Sequence, residues 1–227
     1  MTEIPKGMYL VMKNRSNYYK LLSEFFKHPV QKELLEGLQR ETFKEVTENQ
    51  FDTYPELEEG INLVHNFVQE AETEGLIEQI NQDYEKIFEE TFSPRESNHR
   101  EMNKSETDDL LDELNDLYKR NEFDYQEGFG EVQRDHFAVE SSFMLHLIIE
   151  TRKEIINRNS EKVRELFFCS LDFFDDHIVN WFPSFATKVD KRSSTDFYKG
   201  AASLIKSFVK IDKNVFPMFL EKFESGK

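Results

Sequence analysis

The sequence has little cysteine, glycine or proline, and each scarcity excludes a class of structure. Only one of its 227 residues is a cysteine, Cys169, so the chain forms no internal disulfide and no metal site made of thiolates alone. Cys169 lies in an apolar run, where we expect a buried, unreactive thiol in a reducing compartment. Eight glycines, six prolines and the lack of Asn-Gly or Asp-Gly pairs argue against β-hairpins and favour helices joined by short loops.

Basic residues and long apolar runs are also scarce. The 29 lysines and arginines are outnumbered by 45 aspartates and glutamates, which gives a net charge of −16 and argues against binding to nucleic acid. No run approaches the roughly 18 apolar residues of a membrane span, and the apolar residues 8–12 are too few for a signal peptide. We therefore expect a cytoplasmic protein without stable membrane insertion. The acidic surplus either attracts cationic partners or keeps the surface soluble.

The chain is rich in apolar residues at helical spacing and has 22 phenylalanines. One such series is Leu57, Ile61, Val64 and Val68, whose steps of three and four residues place them on one helix face. Each buried phenylalanine contributes about 1.5–3 kcal/mol, and we expect most of them in the core. The predicted fold class is all-α, a bundle of about ten helices.

Prolines and capping residues place the predicted helices along the chain. Pro29 separates an opening helix from a short helix around residues 34–38. Further helices are expected near 55–71, 74–90, 134–158, 160–182 and 194–211, the last with Ser193, Ser194 and Thr195 as candidate N-caps. We predict one helical domain over residues 1–227, with a looser N-terminal part (1–90), a connecting segment (91–131) and a more regular C-terminal part (132–227).

The connecting segment combines a polar stretch with a strongly acidic one. Residues 91–105 are polar around Pro94 and are expected to form an exposed connection. Residues 101–131 hold eleven acidic and three basic side chains, with Leu110 and Leu114 among them at helical spacing. A solvated amphipathic helix and an acidic surface for a cationic ligand both agree with this pattern, since exposed ion pairs add only about 0–1 kcal/mol each.

The most distinctive segment begins with Asp135-His136 and continues through Glu140 to Phe143-Met144. Asp135 and His136 follow a glycine-containing loop and open the longest predicted helix. An acidic side chain can accept backbone N–H bonds at a helix start, and a neighbouring histidine can exchange hydrogen bonds with a ligand. Helix capping and ligand binding therefore both remain open for this pair.

A second motif is His177-x-x-x-Trp181-x-Pro183-x-Phe185, followed later by Phe197-Tyr198. By spacing, His177 and Trp181 lie on an apolar helix stripe and are expected in the core. Pro183 has no N–H and crowds the carbonyl of the residue four positions earlier, so the helix should bend or end near Trp181.

In order and spacing these motifs resemble the TorD/DmsD family of redox-enzyme maturation chaperones. A third similar segment is Asp83-Tyr84-x-x-Ile87-Phe88, followed by Pro94-Arg95-Glu96-Ser97. The likeness extends from about Asp83 to about Lys210. The chain departs from the family pattern at three places. Arg95 replaces a usual tyrosine, His99 replaces a second common aromatic residue, and Val132-Gln133 replaces a usual Glu-Pro pair.

The resemblance implies a cytoplasmic chaperone without catalytic activity or a cofactor of its own. It implies binding to the twin-arginine signal peptide, or to the apo form, of a molybdenum-containing oxidoreductase of the dimethyl-sulfoxide-reductase type, which is held until its cofactor is inserted. The expected peptide-binding residues are Asp135, His136, Glu140, Glu96 and Ser97. The residues expected to shape the bundle are His177, Trp181, Pro183 and Phe185. Two loop-like breaks, around Pro94 and Gly128, permit either a monomer or a dimer that exchanges helices.

Two other functions remain open from the residues alone. A general helical adaptor or assembly factor for another protein would have the same acidic, aromatic-rich composition. A metal-binding helical enzyme of the di-iron type needs Glu-x-x-His on two helices, and only Glu96 to His99 has that spacing. The chain contains neither a Gly-x-x-x-x-Gly-Lys-Ser/Thr phosphate loop nor a Gly-x-Ser-x-Gly nucleophile, so we expect no catalytic residues and no metal site.

Overall fold

The computed structural model describes residues 4–40, 54–70, 72–88 and 92–224, which are mainly helical. The helices are α1 (Met8–Phe25), α2 (Lys32–Leu38), α3 (Glu58–Val68), α4 (Thr73–Ile87), α5 (Glu96–His99), α6 (Lys104–Arg120), α7 (Gln126–Phe129), α8 (Phe137–Ile156), α9 (Ser160–Phe173), α10 (Val179–Arg192) and α11 (Asp196–Glu224). A 3₁₀ turn, Pro55–Leu57, precedes α3, and a π-helical segment, Phe174–Ile178, joins α9 to α10. Within the described ranges there is no strand, which confirms the predicted all-α class.

The chain divides into two compact units, each discontinuous in sequence. The first unit contains Met1–Ser23, Arg95–Trp181 and Lys210–Lys227, and the second contains Glu24–Pro94 and Phe182–Val209. The predicted single domain over residues 1–227, with its three sequential parts, therefore stays a prediction. Among the described helices, none is long and apolar enough to cross a membrane.

The core of the first unit is built around α8. This helix is apolar on most of its sides, as its buried residues Phe137, Ala138, Val139, Phe143, Met144, Leu147 and Ile148 show. A helix that is apolar nearly all round is stable only when other elements cover it. Helix α9 supplies part of that cover, and its Phe173 ring meets Phe143 edge-on at a centroid distance of 4.8 Å.

A buried ion pair joins α1 to α11 within the first unit. Arg15 Nε donates to Asp212 Oδ1 at 2.5 Å and Arg15 Nη2 donates to Asp212 Oδ2 at 3.0 Å. The Tyr19 hydroxyl also donates to Asp212 Oδ2, at 2.7 Å. Asp212 is completely buried. Its charge is stable there because three hydrogen-bond donors replace water.

In the second unit, Asp83 of α4 fixes the start of α11. Its carboxylate accepts hydrogen bonds from the backbone N–H and the hydroxyl of both Ser194 and Thr195, at 2.6 to 3.1 Å. The Thr195 hydroxyl in turn accepts the Tyr198 N–H at 3.4 Å, so of the three candidate caps Thr195 is the one that faces the first turn of α11. Beside this junction Tyr84 and Tyr198 pack at a ring-centroid distance of 6.2 Å.

Most predicted helices exist, but several ends differ from the predictions. The helix predicted to end at residue 182 continues as α10 to Arg192, with Pro183 inside it. The last helix, predicted to end at 211, continues to Glu224 through Pro217. Burial of the apolar side of each helix outweighs the one backbone hydrogen bond that a proline removes. The predicted ends at residues 71 and 90 lie outside the described residues.

Candidate functional site

Asp135 lies just before α8 and holds α5 in place. Its backbone carbonyl accepts the Glu96 N–H at 2.8 Å. Its carboxylate accepts the Ser97 hydroxyl at 2.6 Å, the Ser97 N–H at 3.2 Å and Arg95 Nε at 2.9 Å. Asp135 is completely buried, so these donors take the place of water around its charge. Within the stretch predicted as an exposed connection, 91–105, residues Glu96–His99 therefore form a short helix anchored on Asp135, with Glu96 and Ser97 buried.

His136, and not Asp135, is the N-cap of α8. The Ala138 N–H donates to His136 Nδ1 at 3.1 Å, and the residue has the extended backbone typical of an N-cap. Because Nδ1 accepts, the neutral ring carries its proton on Nε2. Burial lowers the pKa of His136 to about 4, although the Asp135 charge opposes the shift. The ring is therefore uncharged at neutral pH. The backbone of His136 also pairs with that of Arg95 in an isolated β-bridge.

One turn into α8, Glu140 faces Glu96 of α5, and both side chains are completely buried. Glu96 accepts from Arg100 Nη1 at 2.6 Å through Oε1 and shares a 2.8 Å hydrogen bond with His177 Nδ1 through Oε2. Glu140 Oε2 accepts the Trp181 indole N–H at 2.9 Å. Glu140 Oε1 has no hydrogen-bond partner among the described residues.

Burial raises the pKa of Glu140 well above the ordinary value, and the nearby Glu96 charge raises it further, while the Trp181 hydrogen bond opposes the shift. Two buried carboxylates in contact cannot both ionise cheaply, so the pair holds a proton. A proton on Glu140 Oε1 also supplies the missing hydrogen bond, because that oxygen then donates to Glu96 instead of facing it as a second acceptor.

Aromatic rings line this acidic cluster, which consists of Glu96, Asp135 and Glu140. The Phe137 ring meets Trp181 edge-on at a centroid distance of 5.8 Å, and the His99 ring lies 5.3 Å from Trp181. On another side, the Tyr118 hydroxyl of α6 donates to the Arg134 carbonyl at 3.0 Å. Burial raises the pKa of Tyr118 well above its ordinary value, with the Glu140 charge adding to the shift. The hydrogen-bonded carboxylates of the cluster thus lie behind a largely aromatic wall.

Two open cavities lie at the turn between α6 and α7 in the first unit. One, of about 470 Å³, is lined by Asn115, Tyr118, Lys119, Glu122, Phe123, Asp124, Tyr125, Gln126 and Arg134. The other, of about 370 Å³, is lined by Arg120, Asn121, Glu122, His146, Glu150, Lys153, Glu154, Lys162 and Leu166. Glu122 borders both and has a φ of 55°, a left-handed conformation that is unusual for glutamate. The larger cavity comes close to the acidic cluster, because Arg134 directly precedes Asp135.

The structure brings most of the predicted site residues together. One hydrogen-bonded group contains Asp135, His136, Glu140, Glu96 and Ser97 together with His177 and Trp181. Pro183 and Phe185 lie in the second unit. Only His136 among the five predicted peptide-binding residues is partly exposed. Contact between these five and a peptide therefore stays a prediction.

Phe185 is buried in the second unit among the rings of Phe26, Phe88 and Phe92, and Pro183 is half-buried. Arg100 and Tyr118 take part in the acidic cluster but were not predicted from the sequence. The spacing of Glu96 and Arg100, four residues apart, is a signal for the first of these contacts. No group of three or more histidine, cysteine, aspartate or glutamate side chains in the described ranges is arranged to hold a metal ion.

Comparison with known proteins identifies the family. A model of the nitrate reductase delta subunit family matches residues 50–187, more than half of the chain and the whole acidic cluster. The chain belongs to this TorD-like family. The resemblance to the TorD/DmsD family inferred from the Asp135-His136 and His177 motifs is thus confirmed.

The curated relatives that the chain resembles include several named chaperone protein TorD. That of Photobacterium profundum is 34% identical over 93 residues, which cover 38% of this chain and 42% of the relative. That of Vibrio parahaemolyticus is 32% identical over 78 residues (34% and 35%), and that of the El Tor Inaba strain of Vibrio cholerae is 28% identical over 80 residues (35% and 35%). The matches therefore span less than half the length of each relative. The relatives are named as chaperones, in agreement with the prediction that the chain is not an enzyme. No solved structure matches the chain significantly.

Proposed function

We propose that the protein is a redox-enzyme maturation chaperone that acts in the cytoplasm. It binds the twin-arginine leader, the apo form, or both, of a molybdenum-containing oxidoreductase of the dimethyl-sulfoxide-reductase type, and holds this client until its cofactor is inserted. The observation that carries the proposal is the family match over residues 50–187, together with relatives named as TorD chaperones. Its work is binding, without a covalent step.

The chemistry of the first unit suits such a leader. A twin-arginine leader combines two guanidinium groups with an apolar stretch, so its receptor needs carboxylates beside exposed rings. The cavity of about 470 Å³ offers Phe123 and Tyr125 beside the carboxylates of Glu122 and Asp124. Helix α6, which leads into this cavity, is acidic on its exposed side and buries Leu110, Leu114 and Tyr118. The apolar residues of the leader would lie in the cavity and its arginines would extend toward the acidic cluster.

Contact with Asp135 requires a local opening. The carboxylate is sealed by α5, whereas His136 and Arg95 are partly exposed at the same place. A leader would first meet those two side chains and reach Asp135 when α5 moves away. Helix α5 has only four residues and is held through Asp135 and through the hydrogen bond between Glu96 and His177, so its displacement breaks few contacts.

The proposal is tested by calorimetric titration with three peptides: a twin-arginine leader, the same leader with two lysines in place of the arginines, and an arginine-free control. We expect the first to bind most tightly, because a lysine cannot make the bidentate contact of a guanidinium. Equal affinity for all three peptides, or no binding of any, defeats the proposed recognition of the leader. Co-purification with the apo form of a client oxidoreductase, compared with its cofactor-loaded form, tests the holding step in the same way.

A further inference from the structure

The two residues that flank helix α5, Arg95 and Arg100, place guanidinium groups on the buried acidic cluster. Arg95 Nε donates to Asp135 Oδ1 at 2.9 Å, and Arg100 Nη1 donates to Glu96 Oε1 at 2.6 Å. In both pairs the carboxylate side chain is 0% exposed, whereas the arginine side chains are 26% and 36% exposed. The arginine is therefore the member of each pair that faces solvent, and the carboxylate lies behind it.

We propose that Arg95 and Arg100 are internal placeholders, which occupy in the free protein the two carboxylates that the paired arginines of a leader take over on binding. This inference rests on the proposed function and specifies its mode of recognition. Binding is then an exchange in which an arginine of the leader replaces a resident arginine on Asp135 and a second one replaces Arg100 on Glu96. Each exchange replaces one charge-assisted hydrogen bond by another of the same kind, so neither buried charge is left unpaired in the final state.

Exchange is required because the resident arginines cover the buried carboxylates on the side that faces solvent. Asp135 Oδ1 is taken by Arg95 and Oδ2 by Ser97. Glu96 Oε1 is taken by Arg100 and Oε2 by His177. A guanidinium from outside therefore gains good geometry at either carboxylate only when the resident arginine leaves.

Glu140 gives the exchange its direction. It is completely buried beside Glu96, yet its Oε1 accepts from no donor among the described residues. A leader guanidinium, with five N–H donors in a fixed fork, can bind Glu96 and, once Glu140 gives up the proton that the pair holds, also donate to this oxygen. The incoming arginine thus makes a hydrogen bond that Arg100 does not make.

Arg95 and Arg100 compete with the leader for the carboxylates. The apparent affinity for the leader is therefore the intrinsic affinity multiplied by the fraction of molecules in which the carboxylates are free. The double variant Arg95→Gln with Arg100→Gln removes both competitors and should bind the twin-arginine leader about tenfold tighter or more. Its melting temperature should fall, because Asp135 and Glu96 lose their paired charges in the free protein. The matched control is Arg164→Gln with Lys213→Gln, which removes two positive charges from the same unit. Arg164 lies over the Phe168 ring and Lys213 is exposed, both away from the cluster.

The experiment titrates the full chain, its double variant and its control variant with the twin-arginine leader and with the Lys-Lys leader. Tighter binding in the double variant alone, with a smaller gain for the Lys-Lys leader, supports the placeholder role. The placeholder role is overturned if the double variant still melts cooperatively but binds the leader no more tightly than the wild type does. If the wild type prefers the twin-arginine leader but the double variant gains nothing, only the placeholder inference fails. If no form binds either leader, the leader-binding part of the proposed function fails with it.

A measurement on the wild type covers the case in which the double variant does not fold. An arginine-selective dicarbonyl reagent, read out by mass spectrometry, reports how accessible each guanidinium is with and without the leader. Displacement predicts that saturating leader increases labelling of Arg95 and Arg100 and leaves labelling of Arg164 unchanged. Unchanged or reduced labelling of Arg95 and Arg100 in the complex contradicts the exchange.

Discussion

Trp181 donates its indole N–H to Glu140 Oε2 at 2.9 Å, and the other oxygen of that carboxyl group faces Glu96 without a donor among the described residues. This relationship makes Glu140 the member of the buried pair that holds a proton. The charged and titratable groups around it belong to several elements of the first unit, namely Glu96, Arg100, Asp135, His177 and Tyr118. A proton at this place links the stability of the unit to pH.

Glu140→Gln should remove that dependence on pH. The folded protein binds the proton more tightly than the unfolded chain does, because burial raises the pKa of Glu140. The stability that the proton contributes is complete below the ordinary pKa of a glutamate and is lost as pH rises through the raised pKa, by up to about 1.4 kcal/mol per pH unit. A glutamine keeps the Trp181 bond through its oxygen and donates to Glu96 through its amide, without titrating. Urea denaturation should show a variant more stable than the wild type at high pH, with the difference disappearing toward pH 4.

Glu96→Gln is the control for this prediction. It also neutralises the pair, but it weakens the acceptor for Arg100 and for His177, so we expect lower stability at every pH. Stability profiles of the wild type and Glu140→Gln that stay parallel across the pH range would show that Glu140 carries no proton in the folded protein.

Asp135→Ala should release α5 and weaken leader binding together. The substitution removes the acceptor of Arg95 and of both Ser97 donors, a loss of about 3–5 kcal/mol for a broken buried pair. Hydrogen exchange should accelerate at the Arg100 N–H, which donates to the Glu96 carbonyl within α5. Asp116→Ala, at an exposed position of α6, is the matched control. Slow exchange at Arg100 in the alanine variant would mean that α5 is held by other contacts.

Asp83→Asn tests the junction between α4 and α11 in the second unit. Burial works to raise the pKa of Asp83, but the hydrogen bonds from Ser194 and Thr195 outweigh it and leave the pKa below its ordinary value. The stability that this carboxylate contributes is therefore present above the pKa of an unfolded aspartate and is lost as pH falls through the lowered pKa. The asparagine variant, with one acceptor oxygen instead of two, should lose about 1–3 kcal/mol at neutral pH. Its deficit in chemical denaturation should shrink in acid, and a deficit independent of pH would contradict this account.

The helices could be predicted from the sequence because apolar spacing reports directly which face of a segment is buried. Their ends were less predictable, since Pro183 and Pro217 signal a break that burial overrides. The position of Asp135 at the mouth of α8 was also visible in the sequence. Its contacts were not, because Arg95 and Ser97 are about forty residues away and only tertiary packing brings them there. The proton on Glu140 likewise follows from contact with Glu96, which no local pattern encodes.

A last prediction concerns Gly200 of α11, which approaches α3 closely within the second unit. A Cβ at this position would lie 2.7 Å from the Gly60 carbonyl oxygen and 2.8 Å from Val64 Cγ2. Backbone atoms cannot yield as a flexible side chain can, so Gly200→Ala should force the helices apart and destabilise the protein by about 1–3 kcal/mol or more.

The matched control is Gly75→Ala in α4, where a Cβ would meet nothing within 4 Å. In an exposed helix position the same substitution should stabilise the protein by up to about 1 kcal/mol, because alanine has the higher helix propensity. Thermal denaturation should therefore move in opposite directions for the two alanine variants. A Gly200→Ala variant that melts at or above the wild-type temperature would show that α3 and α11 do not approach as closely as the structure has them.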